Sequence, residues 1–174
     1  LAIVETIPLS SEGQVPAALC LFQPEWHQGV VGLLASRIKE KFHRPVIAFA
    51  RADDGQLKGS SRSIPGLHIR DALDAVAARH PGLISKFGGH AMAAGLSLEE
   101  DKLAQFEQAF QQQVEQSLSA DDLQAKLVTD GELHNAEMSM HTAELLRDSG
   151  PWGQLFPEPC FEGLFLIKQQ RIVG

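Results

Sequence analysis

The chain has 174 residues, 44% hydrophobic and 21% charged, with two cysteines and a formal net charge of −7. That length suits one large domain or one domain with part of a second, and no apolar run approaches the roughly 18–20 residues that a membrane-spanning helix requires. No basic start followed by an apolar run suggests a secretory signal, and Cys20 and Cys160 lack metal-like spacing, so they read as reduced core residues of a cytoplasmic protein.

In chain order, "VPAALCLF" (15–22) is an apolar run suited to a buried strand. From Gln28 to Phe42 the apolar residues fall at Val30, Val31, Leu34, Ile38 and Phe42, which are helical offsets. "PVIAFA" (45–50) reads as a strand closed by the "RADDG" turn, with "QLKGSSRS" (56–63) as its paired second strand. Pro65-Gly66 breaks that run. "HIRDALDAVAAR" (68–79) is helical, "GLISKFGGH" (82–90) is a strand running into a glycine turn, and "AAGLSL" (93–98) is another strand. "EEDKLAQFEQAFQQQVEQSL" (99–118) is a helix with Leu103, Phe106, Phe110, Val114 and Leu118 on one face and acids at its start, where the helix dipole favours them. Strands alternating with helices predict an α/β domain with a small mixed sheet flanked by helices. Beyond about residue 120 the character changes. "KLVTDGEL" (126–133) reads as a hairpin-like strand, "MHTAELLRDSG" (140–150) as a short helix and "CFEGLFLIKQQRIV" (160–173) as a long strand, so a partial β-rich segment is expected there. The start at Leu1 and the strand-like end suggest a piece of a longer protein.

The charge is unevenly distributed. Residues 26–95 hold ten Lys/Arg against five acids and five of the seven histidines, a net of +5, whereas the remainder is −12. A local positive field can hold phosphates whatever the total charge.

Three stretches in that segment could recognise an anion. In "GSSRS" (59–63), Ser60 and Arg62 lie two apart and share a face of an extended strand. A hydroxyl beside a guanidinium fork is a phosphate clamp, and the competing reading is an exposed edge strand. In "KFGGHAMAAG" (86–95), Gly88 and Gly89 permit a backbone nest for an anion with His90 at its mouth, or equally let a strand and helix pack closely. In "EWHQGVVG" (25–32), His27 precedes a helix, where it is either an anion contact or a cap. The histidines show no zinc spacing, no aspartate–histidine set forms a two-metal cluster, and no G-x-S-x-G nucleophile motif is present. Anion-binding candidates without a cleaving centre suit a substrate-holding domain.

"WHQGVVGLLASRIKEKFHRPVIAFA", "LKGSSRSIPGLHIRDAL" and "KFGGHAMAAGLSL", in this order, resemble the RecJ family of single-stranded-DNA-specific exonucleases within the DHH phosphoesterase superfamily. The resemblance implies a linker from a catalytic domain over residues 1–14, a DHH-associated substrate-binding domain over 15–120, and the start of an oligonucleotide-binding (OB) domain over 121–174. It implies 5′-to-3′ degradation of single-stranded DNA in recombination and repair, with Mg²⁺ or Mn²⁺ bound by a DHH domain. No Asp-His-His motif occurs in this chain, so no metal site is expected here and the chain alone is expected to be inactive. By the same resemblance Ser60 and Arg62 hold the terminal 5′ phosphate, Gly88, Gly89 and His90 contact a phosphate near the scissile bond, and His27 matches a substrate-binding histidine. Single-stranded DNA is the implied partner, with single-stranded-DNA-binding protein and a helicase as further ones. The alternatives are an oligoribonuclease or cyclic-dinucleotide phosphodiesterase of the same superfamily, relatives that generally lack the OB domain, and a non-enzymatic docking module.

Overall fold

The computed structural model describes residues 15–53, 55–153 and 156–172. The linker expected over residues 1–14 lies outside them. The chain divides into two compact units, Leu1–Ala125 and Lys126–Gly174.

The first unit is a five-stranded mixed sheet with helices on both faces. Its elements are β1 (Leu19–Phe22), α1 (Gln28–Phe42), β2 (Val46–Arg51), β3 (Gln56–Arg62), α2 (Ile69–Arg79), β4 (Lys86–Gly89), β5 (Ala93–Glu99), a short 3₁₀ turn (Glu100–Lys102) and α3 (Leu103–Ser117). The strand order is β1-β2-β3-β5-β4. β1 and β2 are parallel, joined by the α1 crossover that a parallel pair requires. All other pairs are antiparallel. β3 therefore lies inside the sheet, and the edge-strand reading of "GSSRS" does not hold.

The two faces are covered unequally. On one, α2 and α3 enclose the larger core, in which Phe49, Phe106 and Phe110 are fully buried and Phe106 meets Phe49 edge-on at 5.8 Å. On the other, α1 buries Val31, Ala35 and Ile38, three positions on one helical stripe, against Leu19, Leu21, Val46, Ala48 and Ala50. The alanines of β2 let the helix sit close to the strand. α1 packs on β2 and β3, while α2 packs on β4 and β5 from the opposite face. Gly88 and Gly95 are exposed, and a Cβ built on Gly88 meets nothing within 4 Å. Half of the sheet on the α1 side is thus left open within this unit.

β4 is shorter than the 82–90 run suggests. Gly82 turns at φ +80°, and Leu83 and Ile84 dive into the core before the strand begins. The acids at the start of the 99–118 run form the 3₁₀ turn, and the α-helix proper starts at Leu103.

In the second unit, α4 (Met140–Asp148) matches the expected short helix, capped by Ser139. Among the described residues, neither the hairpin-like strand expected over 126–133 nor the long strand expected over 160–173 forms. Among the described residues only isolated bridges occur, Glu132 with Glu162 and Gly153 with Phe156. Leu164 to Ile167 have strand-forming side chains, but all four are strongly exposed and meet no ladder partner among the described residues. A lone extended segment gains neither the backbone pairing nor the buried face that stabilises a strand. The OB-like architecture is therefore not seen among the described residues.

Candidate nucleic-acid interface

The open half-face is ordered by register. Ser60 of β3 stands opposite Gly95 of β5, and Gly95 opposite Gly88 of β4. One row along, Arg62 stands opposite Ala93, and the His90 N–H donates to the Ala93 carbonyl at 2.8 Å, which extends the row to His90. Two of the three expected anion contacts, Ser60/Arg62 and Gly88-Gly89-His90, thus come from distant stretches to neighbouring rows of one face.

Arg62 is half-buried and held only by neutral acceptors. Its Nε donates to Ser36 Oγ at 3.1 Å, and its Nη1 donates to Ser60 Oγ at 3.3 Å and to the Ser61 carbonyl at 2.8 Å. Among the described residues no carboxylate pairs with it. The Arg51 guanidinium is different: it forms a two-point pair with Glu100 at 2.6 and 2.8 Å. Arg44 is anchored to the carbonyls of Pro16, His43 and Leu123 and serves the framework. A partly desolvated guanidinium fixed by neutral groups keeps its charge available to an incoming anion. Gly32 of α1 makes the space, since a Cβ there would lie 3.2 Å from Ser60 Oγ and 3.3 Å from Arg62 Nη2. Ser61 points to the core face, where its hydroxyl donates to the Ala94 carbonyl and accepts from the Ala94 N–H, fixing the strand between the pair.

The two glycines differ. Gly89 adopts φ +146°, and a Cβ on it would lie 2.4 Å from Ala94 Cα, so its backbone must be bare to close the hairpin. Gly88 faces open space. The hairpin turn is braced from outside, because Ser63 N–H donates to the Met92 carbonyl and Ile69 N–H to the Ala91 carbonyl. The "PGLH" stretch between these two donors turns at Gly66, φ +92°, and ends in His68, whose Nδ1 accepts from the Asp71 N–H as the cap of α2.

His27 is the cap of α1. Its Nδ1 accepts the Gly29 N–H at 3.0 Å, which leaves Nε2 as the outward donor. The α1 residues that meet the Ser60/Arg62 pair are Gly32 and Ser36, and His27 is not among its contacts. Among the described residues no group of three or more His, Cys, Asp and Glu side chains could hold a metal ion, so the donor set they present does not fit a divalent cation. Sequence reasoning noted Gly32 only as thinning a helix face and Lys58 and Lys86 only as part of the basic segment, and it passed over Ser36. The helical offset 32/36 and the period-two alternation 58/60/62 were the signals available for Gly32, Ser36 and Lys58, but placing Lys86 required the β4–β5 register.

The family model for the DHHA1 domain matches residues 13–116. The chain belongs to the DHHA1 domain family. Over 164 residues it is 62% identical to the single-stranded-DNA-specific exonuclease RecJ of Escherichia coli K12, covering 94% of this chain and 28% of that protein. The RecJ of Salmonella typhimurium LT2 is 60% identical over 174 residues, covering all of this chain and 30% of the relative. The chain thus spans under a third of the length of these curated relatives. Among solved structures, Thermus thermophilus RecJ in complex with Mn²⁺ superposes with a TM-score of 0.72 at 27% identity, over 92% of this chain and 22% of that one. The Mg²⁺ complex of the same protein gives 0.69 at 29% identity, over 84% and 22%. The sheet with helices on both faces, and the open half-face it carries, belong to the DHHA1 domain. Among the described residues no helix is long and apolar enough to cross a membrane.

Proposed function

We propose that this chain is the strand-gripping part of a 5′-to-3′ single-stranded-DNA exonuclease acting in DNA recombination and repair. The observation that carries the reading is Arg62: a half-buried guanidinium with no carboxylate among the described residues, seated on neutral hydroxyls and a carbonyl beside a floor of small residues. Ser60 and Arg62 hold the terminal 5′ phosphate. Gly88 lets the strand approach the backbone, Gly89 closes the hairpin that presents it, and His90 donates to the phosphate beside the scissile bond. His27 offers Nε2 to the same strand. Mg²⁺ or Mn²⁺, held by a DHH domain outside these residues, supplies Lewis-acid activation of water and phosphate. The names of the relatives support the substrate class, and the two Thermus complexes support the metals. The free thiols of Cys20 and Cys160 suit the reducing cytoplasm. Single-stranded-DNA-binding protein and a helicase are the further partners this role calls for.

The test is strand degradation by the full-length protein on 5′-phosphorylated and 5′-hydroxyl ends. Arg62→Ala should abolish a preference for the phosphorylated end of roughly 10²-fold, the loss of two charge-assisted hydrogen bonds. Equal activity on both ends in the unmodified enzyme removes the clamp. Dinucleotides consumed much faster than long strands would instead make the protein a short-oligonucleotide phosphodiesterase.

A further inference from the structure

The open face carries a third row. Lys58 of β3 stands opposite Ser97 of β5, and Ser97 opposite Lys86 of β4. Both lysines are exposed, and neither has a hydrogen-bond or ion-pair partner among the described residues. Most other cations of the sheet region are engaged: Arg51 with Glu100, Arg79 with Gln113 and Gln116, and Lys102 with the Gly82 carbonyl. Between the two lysines runs a shallow groove of about 310 Å³, lined also by Gly95 and Ser97. Its neighbouring row is Ser60–Gly95–Gly88, two of whose three members have no side chain. Beyond it, Gln56 donates to the Glu99 carboxylate at 2.7 Å, and this acid closes the basic stretch.

Lys58 is four residues from Arg62 on an extended strand, about 13 Å. The Arg62 guanidinium is tied down at Ser36, Ser60 and Ser61, whereas Lys58 faces Lys86 across the groove one row further along. An occupant that uses both ends of the face must carry successive phosphates on one backbone, and the bare glycine row between them admits that backbone close to the sheet. We propose that Lys58 and Lys86 form a second phosphate station for the same DNA strand, separate from the end-holding clamp at Arg62. This rests on the strand-gripping reading above. It assigns the two lysines to affinity for the length of the strand, and not to recognition of its end.

The experiment is binding by the full-length protein in chelator, so that no strand is cut. The probes are a long 5′-phosphorylated oligo-dT and the mononucleotide dTMP, across a series of salt concentrations. The double variant Lys58→Gln/Lys86→Gln should bind the long strand more weakly, and the slope of log affinity against log salt should shrink by about 1.4, about 0.7 for each lost phosphate contact on a single strand. Its dTMP affinity should not change, and Lys58→Arg/Lys86→Arg should restore the slope. An unchanged slope overturns the proposal, and so does an equal loss for dTMP, which would place the lysines at the clamp or in the fold. A lowered melting temperature with an unchanged slope overturns it in favour of a protein surface docked on this face. Arg62→Ala separates the two readings: it should abolish dTMP binding, and if it does not, the clamp fails whatever the lysines do.

Discussion

The Arg62 guanidinium and the Ser36 hydroxyl join the sheet to helix α1, Nε donating to Oγ at 3.1 Å. Ser36 Oγ in turn donates to the Gly32 carbonyl one turn earlier, at 3.2 Å, so the hydroxyl is itself fixed. A long arginine loses rotamer freedom when it grips a ligand, and a pre-formed anchor removes part of that cost. Ser36→Ala should therefore weaken the preference for a 5′-phosphorylated end by about five-fold, the value of one such hydrogen bond at about 1 kcal/mol. Turnover on 5′-hydroxyl ends should not change. A loss as large as that of Arg62→Ala would mean the serine itself touches the strand.

Gly32 separates stability from binding. Placing alanine in the middle of α1 favours the helix by up to about 1 kcal/mol. The new methyl would sit 3.3 Å from Arg62 Nη2 and 3.2 Å from Ser60 Oγ, tighter than normal contact. The guanidinium is the more flexible neighbour and yields. Gly32→Ala should keep or raise the melting temperature of the chain while reducing selection for the 5′ phosphate in the full-length protein. A variant that keeps full selectivity would show that the space under Gly32 is not needed.

The adjacent glycines of β4 should respond oppositely to alanine. Gly89→Ala forces a side chain into φ +146° and places its Cβ 2.4 Å from a backbone atom of the partner strand. Strain of this kind combined with overpacking costs roughly 2–5 kcal/mol, enough to remove much of the stability of a domain. Gly88→Ala meets open space, so its melting temperature should stay within a few degrees while binding of long single strands weakens. Denaturation of both variants, followed by strand binding of Gly88→Ala, checks the pair. Similar destabilisation of the two would erase the distinction drawn between a packing glycine and a floor glycine.

The local pattern carried most of the first unit. Val31, Ala35 and Ile38 recur at helical spacing because they face one sheet, and the bounds of α1 follow directly from the 28–42 pattern. Ser60 and Arg62 could be paired from period two alone. The sequence could not reveal that β5 inserts between β3 and β4, and only that non-local pairing lines up Arg62 with Ala93 and His90. The difference between Gly88 and Gly89 was equally hidden, since it depends on which one lies against Ala94. In the second unit the error ran the other way. The "LFLI" run has strand propensity, but pairing is a property of two segments, and among the described residues that run has no partner.

The half-buried Glu107 gives the first unit a pH dependence opposite to that of a salt-bridged acid. Burial raises its carboxyl above the ordinary value of 4.5. Below 4.5 the group is protonated whether the chain is folded or not, and it costs nothing. As the pH climbs through the interval between 4.5 and the raised folded value, the unfolded chain releases its proton first. Folding stability then falls and stays lower above that interval. Glu107 lies beside Cys20, whose thiol is pushed well up, first by burial and then by the Glu107 charge. Glu107→Gln removes the charge and keeps the shape. Its melting temperature should exceed that of the parent chain at about pH 7 and match it below the ordinary carboxylate value, and the Cys20 thiol should titrate lower in the variant. Equal melting temperatures near neutral pH would show that solvent reaches the carboxylate freely and that its burial has no energetic consequence.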